Sequence, residues 1–349
     1  MRARVGGRCA GRPRKQLGCA LLIGALLAGC GSDDDGGEGP DAARDAGGDA
    51  NSAGSGGTNG SAGSSPGAID VTSLVGDFGV SITPEMPNPM MPELVIAANT
   101  RFLGKLFDKP KVPLVPFVLE AEQGDCKLLV PEVPFCDPRC MAEVCTEDGC
   151  VVDAVAQSAA GTVRVTGLGD EAIELEPIGS SPSYQPASLP YPPCAEGDAV
   201  RVEADAFTID TRCVAPLEVP ETTITVLRGE ATVLSWTPPG RDFGSRVEVT
   251  LDISHHGGQK GELTCDAPDT GAFEIPEPLI TQLVALGTAG FPTIRLTRVS
   301  RAAAAEAENI TLTVSSSVER LVDIGMPSCS VDDDCPSGMT CNRANLLCQ

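Results

Sequence analysis

Aromatic side chains and histidines are scarce in this chain. Of 349 residues only 3% are aromatic, with one Trp, two Tyr and nine Phe, and there are two His. A folded body needs most of those rings for its cores, so broad stacking surfaces for sugars or nucleobases are disfavoured. The two histidines, His255 and His256, are adjacent. Neighbours on a strand point to opposite faces, so one metal ion does not easily take both. Followed by Gly257-Gly258, they read as a solvent-exposed hairpin tip. Positive charge is also in deficit: 25 Lys and Arg stand against 48 Asp and Glu, a net charge of -23. Residues 1–29 hold six basic and no acidic side chains, so the remainder carries 19 basic against 48 acidic ones, a net of -29. Such a surface is repelled by nucleic acid and by anionic lipid, and no nucleic-acid partner is expected. Apolar runs of about 18 residues or more, long enough for a membrane-spanning helix, are missing throughout.

What the N-terminal 30 residues do have is the layout of an export signal. A basic region, 1–15, precedes an apolar run over 19–29. That run is too short for a helical span, which needs about 20 residues, and fits the core of a secretory signal peptide. The tetrapeptide Leu27-Ala28-Gly29-Cys30 resembles the bacterial lipobox. The resemblance implies cleavage before Cys30 and thioether attachment of diacylglycerol there, giving an acyl (palmitate-type) anchor in a membrane. Residue 31 is Gly rather than Asp. By the sorting pattern of Gram-negative lipoproteins this implies the outer membrane, with the body periplasmic or surface-exposed. Asp33-Asp34-Asp35 resembles the surface-export signals of some lipoproteins. Residues 31–68 are Gly, Ser, Ala and Asp almost throughout, which predicts a disordered tether of about 35 Å root-mean-square length.

Cysteine is plentiful, with fifteen residues. Cys9 and Cys19 fall in the signal segment and Cys30 in the lipobox. Twelve remain: Cys126, Cys136, Cys140, Cys145, Cys150, Cys194, Cys213, Cys265, Cys329, Cys335, Cys341 and Cys348. An even number in an exported chain predicts disulfides, up to six. Two clusters stand out, 126–150 and 329–348. Neither has paired two-residue spacings or a nearby His, so zinc is not expected. Pairing within 329–348 is expected to be local, because twenty residues hold no ordinary core. No metal and no cofactor are anticipated.

The rest of the chain predicts an all-β fold of two β-sandwich-like modules with a disulfide-rich insertion and a small C-terminal knot. Residues 69–120 are broken by seven prolines into pieces compatible with short strands at Ile82, 94–96 and 115–119. Period-two alternation then appears at Val163 and Val165, at Ile173 and Leu175, and at Val200, Val202 and Ala204. These set a first β domain at 69–218, with 126–150 as a stapled insertion. Over 219–325 the pattern is cleaner: Ile224 and Val226, Leu234 and Trp236, Val247, Val249, Leu251 and Ile253, Leu263 and Cys265, Ile294 and Leu296, then Ile310, Leu312 and Val314. One helix is expected near 277–286, with Pro278 early and Gly287 at its end. The segment Thr232-Val-Leu-Ser-Trp236-Thr-Pro-Pro239 resembles a strand of fibronectin type III and immunoglobulin-like modules, which implies a core role for Trp236. The last module, 326–349, with Asp333, Asp334, Cys335-Pro336 and Gly338, resembles the Cys-rich knots of Dickkopf-type proteins. The whole layout is similar to that of Cys-rich lipoproteins of myxobacteria.

Catalytic motifs are few. Gly63-Ser64-Ser65-Pro66-Gly67 fits a nucleophile elbow in letters only, since no strand precedes it and no helix follows. Asp269-Thr270-Gly271 matches the signature of aspartic proteases, whose chemistry needs a second carboxylate sharing one proton. Only one copy exists. Asp332-Asp333-Asp334 offers oxygens to calcium but lacks EF-hand spacing. The sequence therefore predicts a membrane-anchored, non-enzymatic cell-envelope lipoprotein with a structural or interaction-mediating role. An extracellular module binding a glycan or protein is the alternative, and a secreted hydrolase using Asp269 is a third.

Overall fold

The computed structural model describes residues 74–348, apart from 89–90, 92, 111–115, 133–134, 142, 147–148, 153–156, 180–182, 187, 256–259, 289, 326, 328, 336 and 344–346. The export-signal segment, Cys30 and the tether lie outside the described residues. The first half of the chain supplies β1 (Val75–Thr83), β2 (Met86–Pro87), β3 (Val95–Ile96), β4 (Asn99–Phe107), β5 (Phe117–Gln123), β6 (Cys126–Pro131), β7 (Val144–Thr146), β8 (Gly149–Val151), β9 (Gln157–Ser158), β10 (Val163–Thr166), β11 (Ile173–Leu175) and β12 (Ser183–Tyr184). The second supplies β13 (Ala199–Ala204), β14 (Phe207–Arg212), β15 (Thr223–Thr225), β16 (Thr232–Ser235), β17 (Arg246–Asp252), β18 (Glu262–Pro268), β19 (Ala272–Ile275), α1 (Glu277–Ala285), β20 (Thr293–Ala303), β21 (Ile310–Asp323), β22 (Cys341–Asn342) and β23 (Leu347–Cys348). Among the described residues the fold is all-β with one short α-helix, as its alternating pattern predicts.

One large sheet organises the body, in the order β12-β4-β1-β21-β20-β17-β18-β6-β5, with β15 and β9 joining β21 and β4. A second sheet runs β11-β10-β13-β14, and β16 pairs with β19. The spine is β21, antiparallel to β20 along that strand's whole length and parallel to β1. Ile310, Leu312, Val314, Ser316, Val318, Arg320 and Val322 alternate on one buried face of β21. The first three pack in a core with Phe78, Val80, Leu106, Val165, Val202 and Ile209, between the large sheet and the second one. Val318 and Val322 belong to another core with Leu128, Leu234, Trp236, Val249, Leu251 and Leu263, closed by Leu279, Ile280, Leu283 and Val284 of α1. Segments from both sides of residue 218 contribute to each core.

A polar seam separates the two cores. Arg298 and Ser316 face each other across β20 and β21, and both are buried. Residues 214–222 cross the sheet face here without forming a strand. Their backbone groups are instead met by side chains, as buried polar groups require. Ser316 Oγ accepts from the Leu217 amide at 2.9 Å. Arg298 Nη1 donates to the carbonyls of Ala215 and Pro216 at 3.4 Å each. Arg320 donates from Nε to the Glu221 carbonyl at 2.6 Å and from Nη2 to that of Val219 at 3.0 Å. Burial lowers the Arg320 pKa from its ordinary value, and nearby Glu221 works against that.

All twelve cysteines of the body are oxidised. The bonds are Cys126–Cys265, Cys136–Cys145, Cys140–Cys150, Cys194–Cys213, Cys329–Cys341 and Cys335–Cys348. Pairing within the C-terminal knot is local, as expected. Cys126 departs from its sequence cluster: it lies on β6 directly opposite Cys265 on β18. The stapled insertion is therefore confined to the two bonds among Cys136, Cys140, Cys145 and Cys150. Residues 69–120, expected as short pieces, instead hold two long strands. Both β1 and β4 are nine-residue strands near the middle of one half of the large sheet. Their buried faces include Gly76 and Gly104, which lower the apolar signal. The helix falls at the expected place, with Pro278 in its first turn and Gly287 beyond its end at φ 82°.

Candidate functional site

The Asp269-Thr270-Gly271 turn joins β18 to β19, and its carboxylate is fully engaged. Oδ1 accepts from Trp236 Nε1 at 2.8 Å and from Arg298 Nη2 at 3.1 Å. Oδ2 accepts from Ser245 Oγ at 2.8 Å and from Arg298 Nε at 2.7 Å. The Asp269 and Arg298 side chains are 2% and 1% exposed. This is a buried two-pronged ion pair, the strong geometry for a guanidinium and a carboxylate. A protease aspartate shares a proton with a second carboxylate; here the partner is a cation and each oxygen already has two donors. Asp269 is therefore not available to share a proton with a second carboxylate, as the protease chemistry expected of it requires. Trp236 sits in the core, as the resemblance of its segment implied, with its one polar atom satisfied by Asp269.

His255 is half-buried rather than fully solvated. Its Nδ1 lies 3.7 Å from Asp252 Oδ2 and its Nε2 4.0 Å from Glu319 Oε1, while His256 lies outside the described residues. In the C-terminal knot, Asp334 Oδ2 accepts from the amides of Ser330 and Val331 at 2.7 and 3.1 Å. Those two bonds hold its carboxyl below its ordinary pKa. Asp332 Oδ1 accepts from the Cys341 amide at 2.8 Å. Asp332 and Asp334 thus cap local backbone, which is a sufficient use for them without calcium. The sulfurs of Cys136, Cys140 and Cys150 cluster, as do those of Cys329, Cys335 and Cys348. Each belongs to a disulfide and so offers no thiolate to a metal.

The stapled insertion presents a different surface. The β7–β8 hairpin places Cys145 opposite Cys150, and each reaches back to a different cysteine of the preceding segment, Cys136 and Cys140. Thr146 Oγ donates to the Gly149 carbonyl at 2.9 Å, and Gly149 takes φ 103°. Around this frame lies a cleft of about 530 Å³ lined by Phe135, Asp137, Arg139, Glu143 and the cystines. Phe135 is 91% exposed and Met141 96%. The sequence marked the frame through its cysteines but gave no sign that these two apolar side chains point outward.

The two tyrosines divide. Tyr184 is buried, its hydroxyl accepting from the Ala160 amide at 2.7 Å and donating to the Gly161 carbonyl at 3.1 Å. Tyr191 is 39% exposed and, with Gln185, Pro186, Ser188 and Leu189, lines a cleft beside the start of β4. Burial, then the charges of Glu218 and Glu85, raise its phenol pKa.

No family model matches the chain, and no curated protein matches it. Among solved structures, it is similar to the crystal structure of chicken CNTN1 FN1-FN3 domains at 10% identity, covering 62% of this chain and 68% of that one, with a TM-score of 0.16.

Proposed function

We propose that this chain is a lipid-anchored cell-envelope protein whose disulfide-stapled β body mediates contact with another protein. The anchor would be the acylated Cys30 in the outer membrane, with residues 31–68 as spacer and the body periplasmic or surface-exposed. Full oxidation of the twelve cysteines supports an exported location, because such bonds persist in oxidising compartments. The observation that carries the contact role is the nearly complete exposure of Phe135 and Met141, which flank the cysteines that two disulfides fasten to the β7–β8 hairpin. Burying each in a partner's pocket is worth about 1.5–3 kcal/mol. The cystines hold the backbone beforehand, which lowers the ordering cost of binding. Large apolar anchors in a fixed frame are the usual source of interface affinity.

The test is a photo-crosslinking residue in place of Met141, in the full chain expressed in its native envelope. The expected result is a discrete adduct that disappears when Phe135→Ser is added. Adducts no stronger than those from the same probe at exposed Glu230 would contradict the contact assignment.

A further inference from the structure

Beyond Tyr184 the chain leaves β4, so the outer edge of β4 over 99–103 has no strand partner among the described residues. The space between that edge and residues 185–186 and 188–191 is a cleft of about 500 Å³, within the range of small-ligand sites. Its walls combine the half-buried Leu189 and the exposed ring of Tyr191 with exposed Asn99, Arg101, Gln185 and Ser188. Among the described residues, no carboxylate pairs with Arg101. No hydrogen bond ties down the side chain of Asn99 or Ser188 in that set either. Asn99, Arg101 and Ser188, together with Gln185, whose amide donates to Ser183 Oγ at 3.3 Å, thus line the cleft beside the Tyr191 ring in a chain that has few aromatic rings to spare.

We propose that this cleft binds an uncharged pyranose oligosaccharide. A pyranose has an apolar C–H face that packs against an aromatic ring and a rim of hydroxyls that both donate and accept. Asn, Gln and Ser side chains offer both capacities, and Arg adds donors. Charge argues against an anionic ligand: the whole chain carries -23, and Glu218 and Glu85 are close enough to act on the Tyr191 ring. The site is separate from the stapled insertion and does not rest on the anchor.

Calorimetric titration of the full chain with cellohexaose, chitohexaose and oligogalacturonate tests it. Saturable binding of at least one neutral oligosaccharide and none of the polyuronate is expected. Tyr191→Ala should weaken that binding about tenfold or more, equal to about 1.4 kcal/mol. Gln185→Ala should weaken it severalfold, whereas Tyr191→Phe and the remote Phe135→Ser should leave it intact. Because Tyr191 and Gln185 are exposed, these variants should retain the melting temperature of the parent. Failure of both neutral oligosaccharides to bind, preference for the polyuronate, or binding indifferent to Tyr191→Ala would each overturn the assignment. Indifference to Tyr191→Ala combined with displacement by an extended peptide would indicate instead that the open edge of β4 takes a strand.

Discussion

At the scale of single residues, the first core is built around Phe78. Its ring centroid lies 6.3, 5.9 and 5.7 Å from those of Phe102, Tyr184 and Phe207. The ring can sit there only because residue 104 on the neighbouring strand is Gly. A Cβ at that position would stand 2.4 Å from Phe78 Cδ1 and 3.3 Å from Tyr184 Cβ. Gly104→Ala is therefore expected to destabilise the body by about 1–3 kcal/mol, the usual cost of overpacking, read as a lower denaturation midpoint with an unchanged slope. The Asp269–Arg298 pair gives a second test. Arg298→Met removes one partner and leaves a buried carboxylate alone, which costs about 3–5 kcal/mol. Adding Asp269→Leu should recover a large part of that loss, because no unpaired charge remains. A double variant as unstable as the single one would contradict the pairing argument. Trp236 was legible as a core residue through the resemblance of residues 232–239 to a strand of fibronectin type III and immunoglobulin-like modules. Asp269 was not legible, because its partner Arg298 lies 29 residues away and looks like any other strand arginine.

At the scale of elements, strands with apolar alternation were readable and strands faced with glycine were not. Val247, Val249, Leu251 and Ile253 are buried as their spacing demanded. By contrast, β1 hides behind Gly76 and Gly79, and β21 continues past Ser315, Ser316 and Ser317 because Ser316 serves a crossing backbone rather than a core contact. The insertion was visible as a cluster of cysteines, but β6 takes Cys126 out of it through a pairing with β18 that local spacing cannot reveal. The C-terminal knot carries a pH prediction. Asp334 is depressed by the Ser330 and Val331 amides, so its capping contribution is present above the ordinary carboxylate range and is lost as pH falls through the lowered pKa. Amide exchange at Ser330 and Val331 should accelerate at that acid limit beyond the intrinsic pH trend. Asp334→Asn should flatten the change, while both knot disulfides stay closed.

At the scale of the whole molecule, the two cores share one sheet, and Cys126–Cys265 fastens its β6 edge to the strands of the C-terminal half. The bond closes a separation of 139 residues, worth about 5 kcal/mol in the chain-entropy limit. Replacing both cysteines by Ala should lower stability by about 2–5 kcal/mol, whereas replacing Cys136 and Cys145 should leave the main unfolding transition nearly unchanged. The proposed role depends on where this body is held and in what redox state. Intact-mass and peptide analysis of the native protein, alkylated before and after reduction, addresses that directly. A chain beginning at an acylated Cys30, with the twelve body cysteines protected until reduction, is the expected result. A chain retaining residues 1–29, or body cysteines that alkylate without reduction, would contradict it.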